Sequence, residues 1–336
     1  MIIIRTQGEK NLTQSDQVVK DCWIDARNVS REDLARLEKD FGIQNELIAD
    51  IMDADEQARI EKEDEYTAII VRLPVFDESF EVQVFTVPVG IILFKDKIVT
   101  ICQRSSDVLD DLTGHRIRDF SILNKNTFVL NLMGRAALSY LRTLKELNKK
   151  TAIIERELQK SVKNNELVKL LSIQKSLVYF TTSIKTNELL LEKLQKSPFI
   201  RFKEEEQELL EDVLTDNKQA IEMANIYSSI LTGTMDAFAS VISNNINMVM
   251  RRLTIVSIVL MIPTLISSFF GMNVDLPFQE HPLAIAGIFG FSLVASIIGA
   301  LILGDRRKKK IKAMPLPLPQ NLIMTLRHDG TETRGH

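Results

Sequence analysis

Length, composition and charge describe a chain of ordinary globular character and exclude several functional classes. The 336 residues are 45% hydrophobic and 26% charged, and the net charge is −3. Because the basic residues neither outnumber the acidic ones nor interleave with aromatic ones, we do not expect nucleic-acid binding. Two cysteines, Cys22 and Cys102, are too few for a disulfide framework, so most of the chain is expected in a reducing cytosol.

Residues 1–130 are expected to form a cytoplasmic α/β domain. Short runs rich in β-branched and aromatic residues alternate there with helical stretches. A helix is predicted over Ser30–Asp40, because Ser30 followed three residues later by Asp33 is typical of an N-cap. The predicted strands are Ile2–Ile4, Tyr66–Leu73, Val82–Val87, Ile91–Phe94 and Lys97–Cys102.

The acidic run Asp50–Glu56 has the charge of a calcium-binding loop. It lacks the glycine at the turn and the closing glutamate at the spacing that an EF-hand requires. We therefore interpret it as the solvated end of a helix.

Residues 131–252 are expected to be mainly helical. In the first part, charged positions separate recurring Leu and Ile residues, and a loop near Lys163–Glu166 divides this part into two antiparallel helices. Between Pro198 and Pro263 there is no proline and one glycine. A single stalk helix can therefore run about 95 Å from the acidic start at Glu204–Asp212, given the rise per helical residue.

Residues 253–303 contain no Lys or Arg and are expected to cross a membrane twice. They consist of the apolar run Leu253–Phe270, the polar linker Gly271–Pro282 and the apolar run Leu283–Leu303. Each apolar run is long enough to cross about 30 Å of hydrocarbon as a helix. The alternative is a buried hairpin in a large soluble domain, which the length and the absence of charge disfavour.

One face of the stalk and of the first span is polar. Steps of alternately four and three residues meet only acidic, small polar, amide or thioether side chains. We call these residues the polar stripe: Asp236, Ser240, Ser243, Asn247, Met250, Thr254, Ser257, Met261, Thr264 and Ser268. A spacing of 3.5 residues keeps a stripe facing the axis of a left-handed bundle, where it can line a narrow water-filled path.

For any one Ser or Thr of the polar stripe there is a simpler interpretation. Hydroxyls in membrane helices often donate to their own i−4 carbonyl or let helices pack closely. Ten consecutive stripe positions without Leu, Ile, Val or Phe favour the water-filled path. Since two spans cannot enclose a pore, the protein is expected to be a symmetric oligomer.

The charges around the two spans predict their orientation. Arg251 and Arg252 precede the first span, whereas the linker carries the acidic residues Asp275 and Glu280. By the positive-inside rule, both ends of the chain lie in the cytoplasm and the linker lies outside. The second span is followed by a basic cluster, Arg306, Arg307, Lys308, Lys309 and Lys310. This cluster would anchor lipid head groups, and in an oligomer it would also form a positive collar at the inner mouth.

The linker supplies chemistry suited to a hydrated cation. Mg²⁺ releases its water shell reluctantly and is usually bound through retained waters, so a selective mouth would offer neutral oxygen acceptors. Asn273 and the carbonyl of Gly271, repeated around an axis, are such acceptors. Asp275 and Glu280 would raise the local cation concentration without binding any ion tightly.

The string FGMN at Phe270–Asn273 lies at the outer end of the first of two C-terminal spans, after a large soluble domain and before a basic tail. In this position it resembles the signature of the CorA-type magnesium channel family. Looser matches at Asp40–Ile43 and Arg59–Glu61 extend the resemblance to nearly the whole chain. The resemblance implies a homopentameric funnel with cytoplasmic α/β domains, a stalk helix that continues as the pore-lining span, and a second span facing lipid.

The resemblance also implies roles for individual residues. Gly271, Met272 and Asn273 would form the external selectivity motif, with Asn273 meeting the hydrated ion, and Thr264 would form an internal ring. Asp236 matches an acidic stalk position where family members bind regulatory Mg²⁺ between protomers. The polar stripe and the resemblance together give a pore lining of Asn247, Met250, Leu253, Thr254, Ser257, Met261, Thr264 and Ser268. Of these, Leu253 lies off the stripe.

Two features depart from the family pattern. Pro263 follows Ile262, whereas other members have a proline directly after a methionine. The chain also continues beyond its basic cluster, and residues 304–336 are expected to end in an extended, disordered tail with regularly spaced prolines.

The expected function is passive transport of a divalent cation across the cell membrane. Influx is driven by the membrane potential, worth about 2.3 kcal/mol per charge per 100 mV, and gated by intracellular Mg²⁺. Mg²⁺ is the expected cargo, with Co²⁺ and Ni²⁺ as further candidates. The sequence has no GxxxxGK[ST] phosphate loop and no recognisable nucleophile–base pair, so we expect neither nucleotide binding, nor an organic cofactor, nor an enzyme.

Two alternatives stay open. One is a zinc transporter of the same superfamily, with or without proton coupling. The other is a membrane-anchored coiled-coil scaffold without transport, which fits the stalk but leaves the polar stripe unexplained.

Overall fold

The computed structural model describes residues 1–8, 12–77, 83–113, 120–160, 164–196, 202–272 and 284–311. The chain divides into two compact units, Met1–Ala239 and a second one that begins at Ser240. The first unit contains an α/β domain, and a long helix follows it, as predicted.

The α/β domain is built on a mixed sheet, which has seven strands within the described residues. Their spatial order is β2-β1-β3-β7-β6-β5-β4, and all neighbours are antiparallel except β3 and β7. The central strands are buried on both faces, each face carrying its own apolar cluster. The strands are β1 Ile2–Gln7, β2 Leu12–Ser15, β3 Cys22–Arg27, β4 Arg59–Lys62, β5 Tyr66–Phe76, β6 Val84–Phe94 and β7 Lys97–Cys102.

The predicted strands are partly confirmed. The strand Lys97–Cys102 is β7, while β1 and β5 extend the predicted strands by three residues each. The strands β2, β3 and β4 were not predicted. In β3 the reason is Asp25, a charged residue in an apolar run. It is buried between Arg27, at 2.8 Å, and Arg5, at 3.4 Å.

The prediction of two strands, Val82–Val87 and Ile91–Phe94, is wrong where the structure describes them. One strand, β6, continues through Pro88; Val82 lies outside the described residues. Whereas β5 pairs with all of β6, β7 pairs only with Val89–Leu93. The N–H that proline lacks is therefore not needed by β7, and Pro88 is tolerated inside the strand.

The helix α1, Arg31–Phe41, has the predicted N-cap. The Ser30 hydroxyl accepts from the Asp33 N–H at 3.2 Å, and the Asp33 carboxylate accepts from the Ser30 N–H at 2.9 Å. The helix ends at Gly42, whose φ of 71° is left-handed and whose N–H donates to the Glu38 carbonyl at 3.1 Å. Glycine suits this C-cap because it has no side chain to strain the conformation.

The helix α2, Asn45–Met52, lies directly on the sheet, since a Cβ placed on Gly90 would lie 2.2 Å from Ile51 Cδ1. The acidic run Asp50–Glu56 contains the last residues of this helix, its C-cap Asp53 and the turn that follows, which agrees with the interpretation as a helix end. Arg59 neutralises part of it, contacting Asp50 at 2.7 Å and also Glu56. A short helix, α3, covers Asp107–Thr113.

Two long helices form the predicted hairpin. They are α4, Lys125–Lys160, and α5, Asn164–Lys196. The rings of Tyr140 and Phe180 pack between these helices, with their centroids 4.9 Å apart. The predicted loop Lys163–Glu166 is wrong from Asn164 onward, because α5 begins there; Lys163 lies outside the described residues. Glu166 is buried in its first turn, where a carboxylate is favourable.

The helix α6, Glu204–Phe270, is continuous over 67 residues and passes through Pro263. This confirms the prediction of one long helix from the acidic start. The helix α7, Ala284–Ile311, begins near the predicted second span and includes the backbone of the basic cluster.

A buried arginine joins the sheet to α5. The Arg72 guanidinium donates to Ser183 at 2.9 Å and to Thr86 at 2.8 Å, and burial lowers its pKa from the ordinary value. The Asn187 side chain accepts from the Arg72 N–H at 2.9 Å and donates to the Arg72 carbonyl at 2.8 Å. Asn187 thus replaces a strand partner for β5 beyond the first residue of β4, which pairs with Ile70.

Asn187→Ala should destabilise the α/β domain by about 2 kcal/mol, because it leaves a buried backbone N–H without its acceptor. Trp23, the sole tryptophan of the sequence, is 0% exposed, so its fluorescence during urea unfolding measures the loss. Lys185→Ala, on the exposed side of the same helix, should stay within about 0.5 kcal/mol of the parent chain. Equal unfolding midpoints for both variants would contradict the role given to Asn187.

Candidate functional site

The second half of α6 is suited to a membrane. Among the helices within the described ranges, α6 is long and apolar enough to cross one by length and composition, and its apolar window is 0% buried. A shorter apolar stretch, Ala286–Leu301, lies in α7.

The polar stripe is exposed along its whole length. Each of its ten residues, from Asp236 to Ser268, has an exposed side chain in the single chain. Met261, in the middle of the apolar window, is 65% exposed. The surface that the sequence singled out is therefore not used for packing by the part of the chain that the structure describes.

The helix α7 contacts a different face of α6. The Ser296 hydroxyl lies 3.3 Å from the Val259 carbonyl oxygen, and a Cβ placed on Gly299 would lie 3.1 Å from Ile262 Cδ1. Around the helix this face is centred about 140° from the polar stripe, at 3.6 residues per turn. Two of its residues, Ile258 and Ile262, each follow a stripe residue directly in the sequence and are half-buried. Within the described residues, α7 thus covers an apolar side of α6 and leaves the polar side open.

Three hydroxyls of the polar stripe donate to their own helix. Those of Thr254, Ser257 and Thr264 each lie 2.9 Å from the carbonyl oxygen four residues earlier. This is the local geometry expected from the simpler interpretation of single residues. The hydrogen bond engages the hydroxyl proton but leaves lone pairs on the oxygen free to accept. At these three positions the stripe therefore presents acceptors rather than donors.

Leu253 flanks the polar stripe. It is exposed and lies about 60° from the centre of the stripe around the helix. Its side chain is thus on the side away from α7, although it is off the stripe. Its carbonyl accepts from Ser257 at 2.9 Å.

The helix α6 ends at Phe270, directly before the GMN tripeptide. The Gly271 N–H donates to the carbonyls of Ser267, at 3.0 Å, and Ser268, at 3.3 Å. A Cβ on Gly271 would lie 3.4 Å from the nearer oxygen, an ordinary contact. Packing within one chain therefore does not require glycine here.

Several residues singled out from the sequence are not described. Asn273, Asp275 and Glu280 lie outside the described residues. The backbone of the basic cluster belongs to α7, but its side chains are not among those that the structure describes. Within the ranges that are described, no group of three or more His, Cys, Asp or Glu side chains is placed to hold a metal ion. Asp236 is exposed on α6.

The contact residues of α7 were missed from the sequence. Ser296 and Gly299 are small residues three positions apart in α7. This spacing, together with a proline in α6, is the signal that indicates close packing of the two helices.

Ser257→Cys should react with a charged, membrane-impermeant thiol reagent in the reconstituted protein, whereas Val256→Cys should not. Both positions are exposed in the single chain, but only the first is on the polar stripe, and hydrocarbon excludes a charged reagent. Mass spectrometry measures the extent of labelling. The native Cys22 and Cys102 are buried and should contribute little background. Equal labelling at 256 and 257 would contradict a water-lined stripe.

Comparison with known proteins places these features in a family. Residues 20–309 match the sequence profile of a family described as CorA-like Mg²⁺ transporter protein. The cobalt/magnesium transport protein CorA of Methanocaldococcus jannaschii is 27% identical over 288 residues, covering 84% of this chain and 87% of that protein. The protein of the same name from Thermotoga maritima is 22% identical over 284 residues, covering 83% and 79%.

A solved structure shares the fold. The complete structure of the CorA magnesium transporter from Methanocaldococcus jannaschii matches with a TM-score of 0.74 and 23% identity, covering 92% of this chain and 98% of that chain. The family profile, for its part, spans far more than half of the present sequence. The chain therefore belongs to the CorA-like Mg²⁺ transporter family.

Proposed function

We propose that this chain forms an oligomeric channel for Mg²⁺ in the cell membrane, with Co²⁺ as a further cargo. The observation that carries the proposal is the exposed polar stripe on the face of α6 that α7 leaves open. Both curated relatives named above are cobalt/magnesium transport proteins. The family consists of membrane transporters rather than enzymes.

The chemistry of the polar stripe suits a hydrated divalent cation. Waters bound to Mg²⁺ point their protons outward and seek acceptors. Thr254, Ser257 and Thr264 have committed their own protons to backbone carbonyls, so their oxygens can accept from those waters. Neutral oxygens let the ion pass, because they bind it less tightly than carboxylates would.

An assembly is needed to enclose the path. Polar side chains on an apolar helix are costly to expose to hydrocarbon, and in one chain the polar stripe is uncovered. Copies arranged around an axis, with α6 inside and α7 outside facing lipid, would bring the stripes together. The family resemblance gives five copies. Met250, Leu253 and Met261, all exposed and apolar, would then form the narrow section.

Selection would occur at the outer end of α6. The Gly271 carbonyl and the Asn273 side chain, repeated around the axis, would accept from the water shell of the entering ion. Asp275 and Glu280 would concentrate cations at this mouth. With both ends of the chain in the cytoplasm, the membrane potential drives influx, and a divalent ion gains about twice the 2.3 kcal/mol per 100 mV of a single charge.

Intracellular Mg²⁺ would close the channel by binding at Asp236. A single exposed carboxylate fits Mg²⁺, which keeps several waters and takes one or two carboxylates. An ion shared between stalks would hold the protomers together, and its loss would let the narrow section hydrate. Ion binding and pore state are then linked, so each affects the other by the same free energy.

Asn273→Ala should reduce Mg²⁺ flux to the level of empty liposomes, because it removes the acceptor for the hydrated ion. Fluorescent indicators inside proteoliposomes measure uptake of Mg²⁺, Co²⁺, Ni²⁺ and Zn²⁺ offered separately. Ser267→Ala keeps the backbone carbonyl that Gly271 uses and should conduct like the parent chain. Undiminished Mg²⁺ uptake by Asn273→Ala would overturn the selectivity assignment. Uptake of Zn²⁺ alone by the parent chain would favour the zinc transporter.

Asp236→Ala should weaken inhibition by internal Mg²⁺ while the order of ion preference stays unchanged. The physical reason is loss of the carboxylate that would hold the regulatory ion. Flux is measured as internal Mg²⁺ is varied. Asp212→Ala removes another exposed carboxylate of α6 and serves as the matched control. The same inhibition curve in both variants would remove Asp236 from the gate.

A further inference from the structure

Pro263 leaves one carbonyl of α6 without its helical donor. In an α-helix the N–H of each residue donates to the carbonyl four residues earlier, and proline has no N–H. Because α6 continues through Pro263, the deprived carbonyl is that of Val259. The proline ring also crowds this carbonyl, and helices tend to bend at such positions.

Ser296 of α7 approaches the same carbonyl. Its Oγ lies 3.3 Å from the Val259 carbonyl oxygen and 2.9 Å from the carbonyl oxygen of Ser292 in its own helix. One hydroxyl proton therefore has two acceptors within reach, one in each helix. Ser296 is 6% exposed, so solvent has little access to the contact.

Close packing fixes the contact in register. A Cβ placed on Gly299 would lie 3.1 Å from Ile262 Cδ1, so a larger residue would require the Ile262 side chain to shift by a few tenths of an ångström. Val259 and Ile262 are three residues apart and share one face of α6. Ser296 and Gly299 are likewise three residues apart in α7 and meet that face together.

We propose that Ser296 is a positioning residue for transport. Its hydroxyl donates to the Val259 carbonyl that Pro263 leaves without a donor, and this bond holds α7 in register on α6. The second acceptor, the Ser292 carbonyl, keeps the proton engaged when α6 moves. The bond can therefore break and re-form as the pore changes state.

The contact is placed to affect the polar stripe. Met261 and Thr264 lie on the stripe beside Pro263, so a change in the bend of α6 at this point moves both side chains. Only this effect on flux rests on the proposed function. The bond itself is a property of one chain.

A double-mutant cycle tests the proposal. Pro263→Ala restores an N–H for the Val259 carbonyl, so the Ser296 hydroxyl should matter only when Pro263 is present. Hydrogen–deuterium exchange of the full-length protein in detergent measures amide opening in peptides covering 256–270. Ser296→Ala should raise exchange about threefold, the size expected for one hydrogen bond between membrane helices. The same change in the Pro263→Ala chain should have no effect.

Flux gives the second readout. In proteoliposomes, Ser296→Ala should shift the internal Mg²⁺ concentration that halves flux by about threefold, and this shift should vanish in the Pro263→Ala background. Ser292→Ala is the matched control, since Ser292 is equally buried, at 7% exposed, and the variant keeps the backbone carbonyl. It should exchange and conduct like the parent chain.

Three exchange results would overturn the proposal: unchanged exchange in Ser296→Ala, equal increases in the parent and Pro263→Ala backgrounds, or the same increase in Ser292→Ala. Absence of flux from the parent chain would instead count against the proposed function. In that case the exchange cycle still decides whether Ser296 supplies the missing donor.

Discussion

Polar side chains along an apolar helix need hydrogen-bonding partners or water, because hydrocarbon provides neither. The helix α6 satisfies three of its hydroxyl donors itself, since Thr254, Ser257 and Thr264 donate to backbone carbonyls of the same helix. Their oxygens still face outward from the single chain. With α7 on the opposite side, the remaining acceptors are uncovered in the single chain, and in the assembly that we propose they would face water at its axis. The organisation of the membrane part follows from this one requirement.

The first unit meets the same constraint differently. Its buried polar groups are paired within the chain: Asp25 lies between two arginines, and Arg72 donates to neutral oxygens from the sheet and from α5. Burial lowers the pKa of Arg72, yet each of its three guanidinium nitrogens donates to an acceptor. Buried polar groups that are hydrogen-bonded favour one arrangement of sheet and helices. The α/β domain thus pairs these groups within one chain, whereas the polar stripe would need the assembly that we propose.

Pro263 creates a further polar group that needs a hydrogen-bonding partner. It frees the Val259 carbonyl, a polar group that must find a donor in an apolar setting. Ser296 of α7 supplies one. A hydrogen bond between the two helices at this level couples the position of α7 to the shape of α6. This contact can yield and re-form, because the serine proton has a second acceptor in its own helix.

The sequence by itself determined the features that depend on neighbouring residues and on period. The capping box of α1, the helical hairpin, the long helix α6 and the polar stripe all follow from residues a few positions apart. Strand β3 and the continuity of β6 did not, because Asp25 is paired with Arg5 of β1 as well as with Arg27, and Pro88 lies beyond the residues that pair with β7. Likewise, only the tertiary structure decided which face of α6 receives α7. Contacts between helices determine this face, and the periodicity of one helix does not predict them.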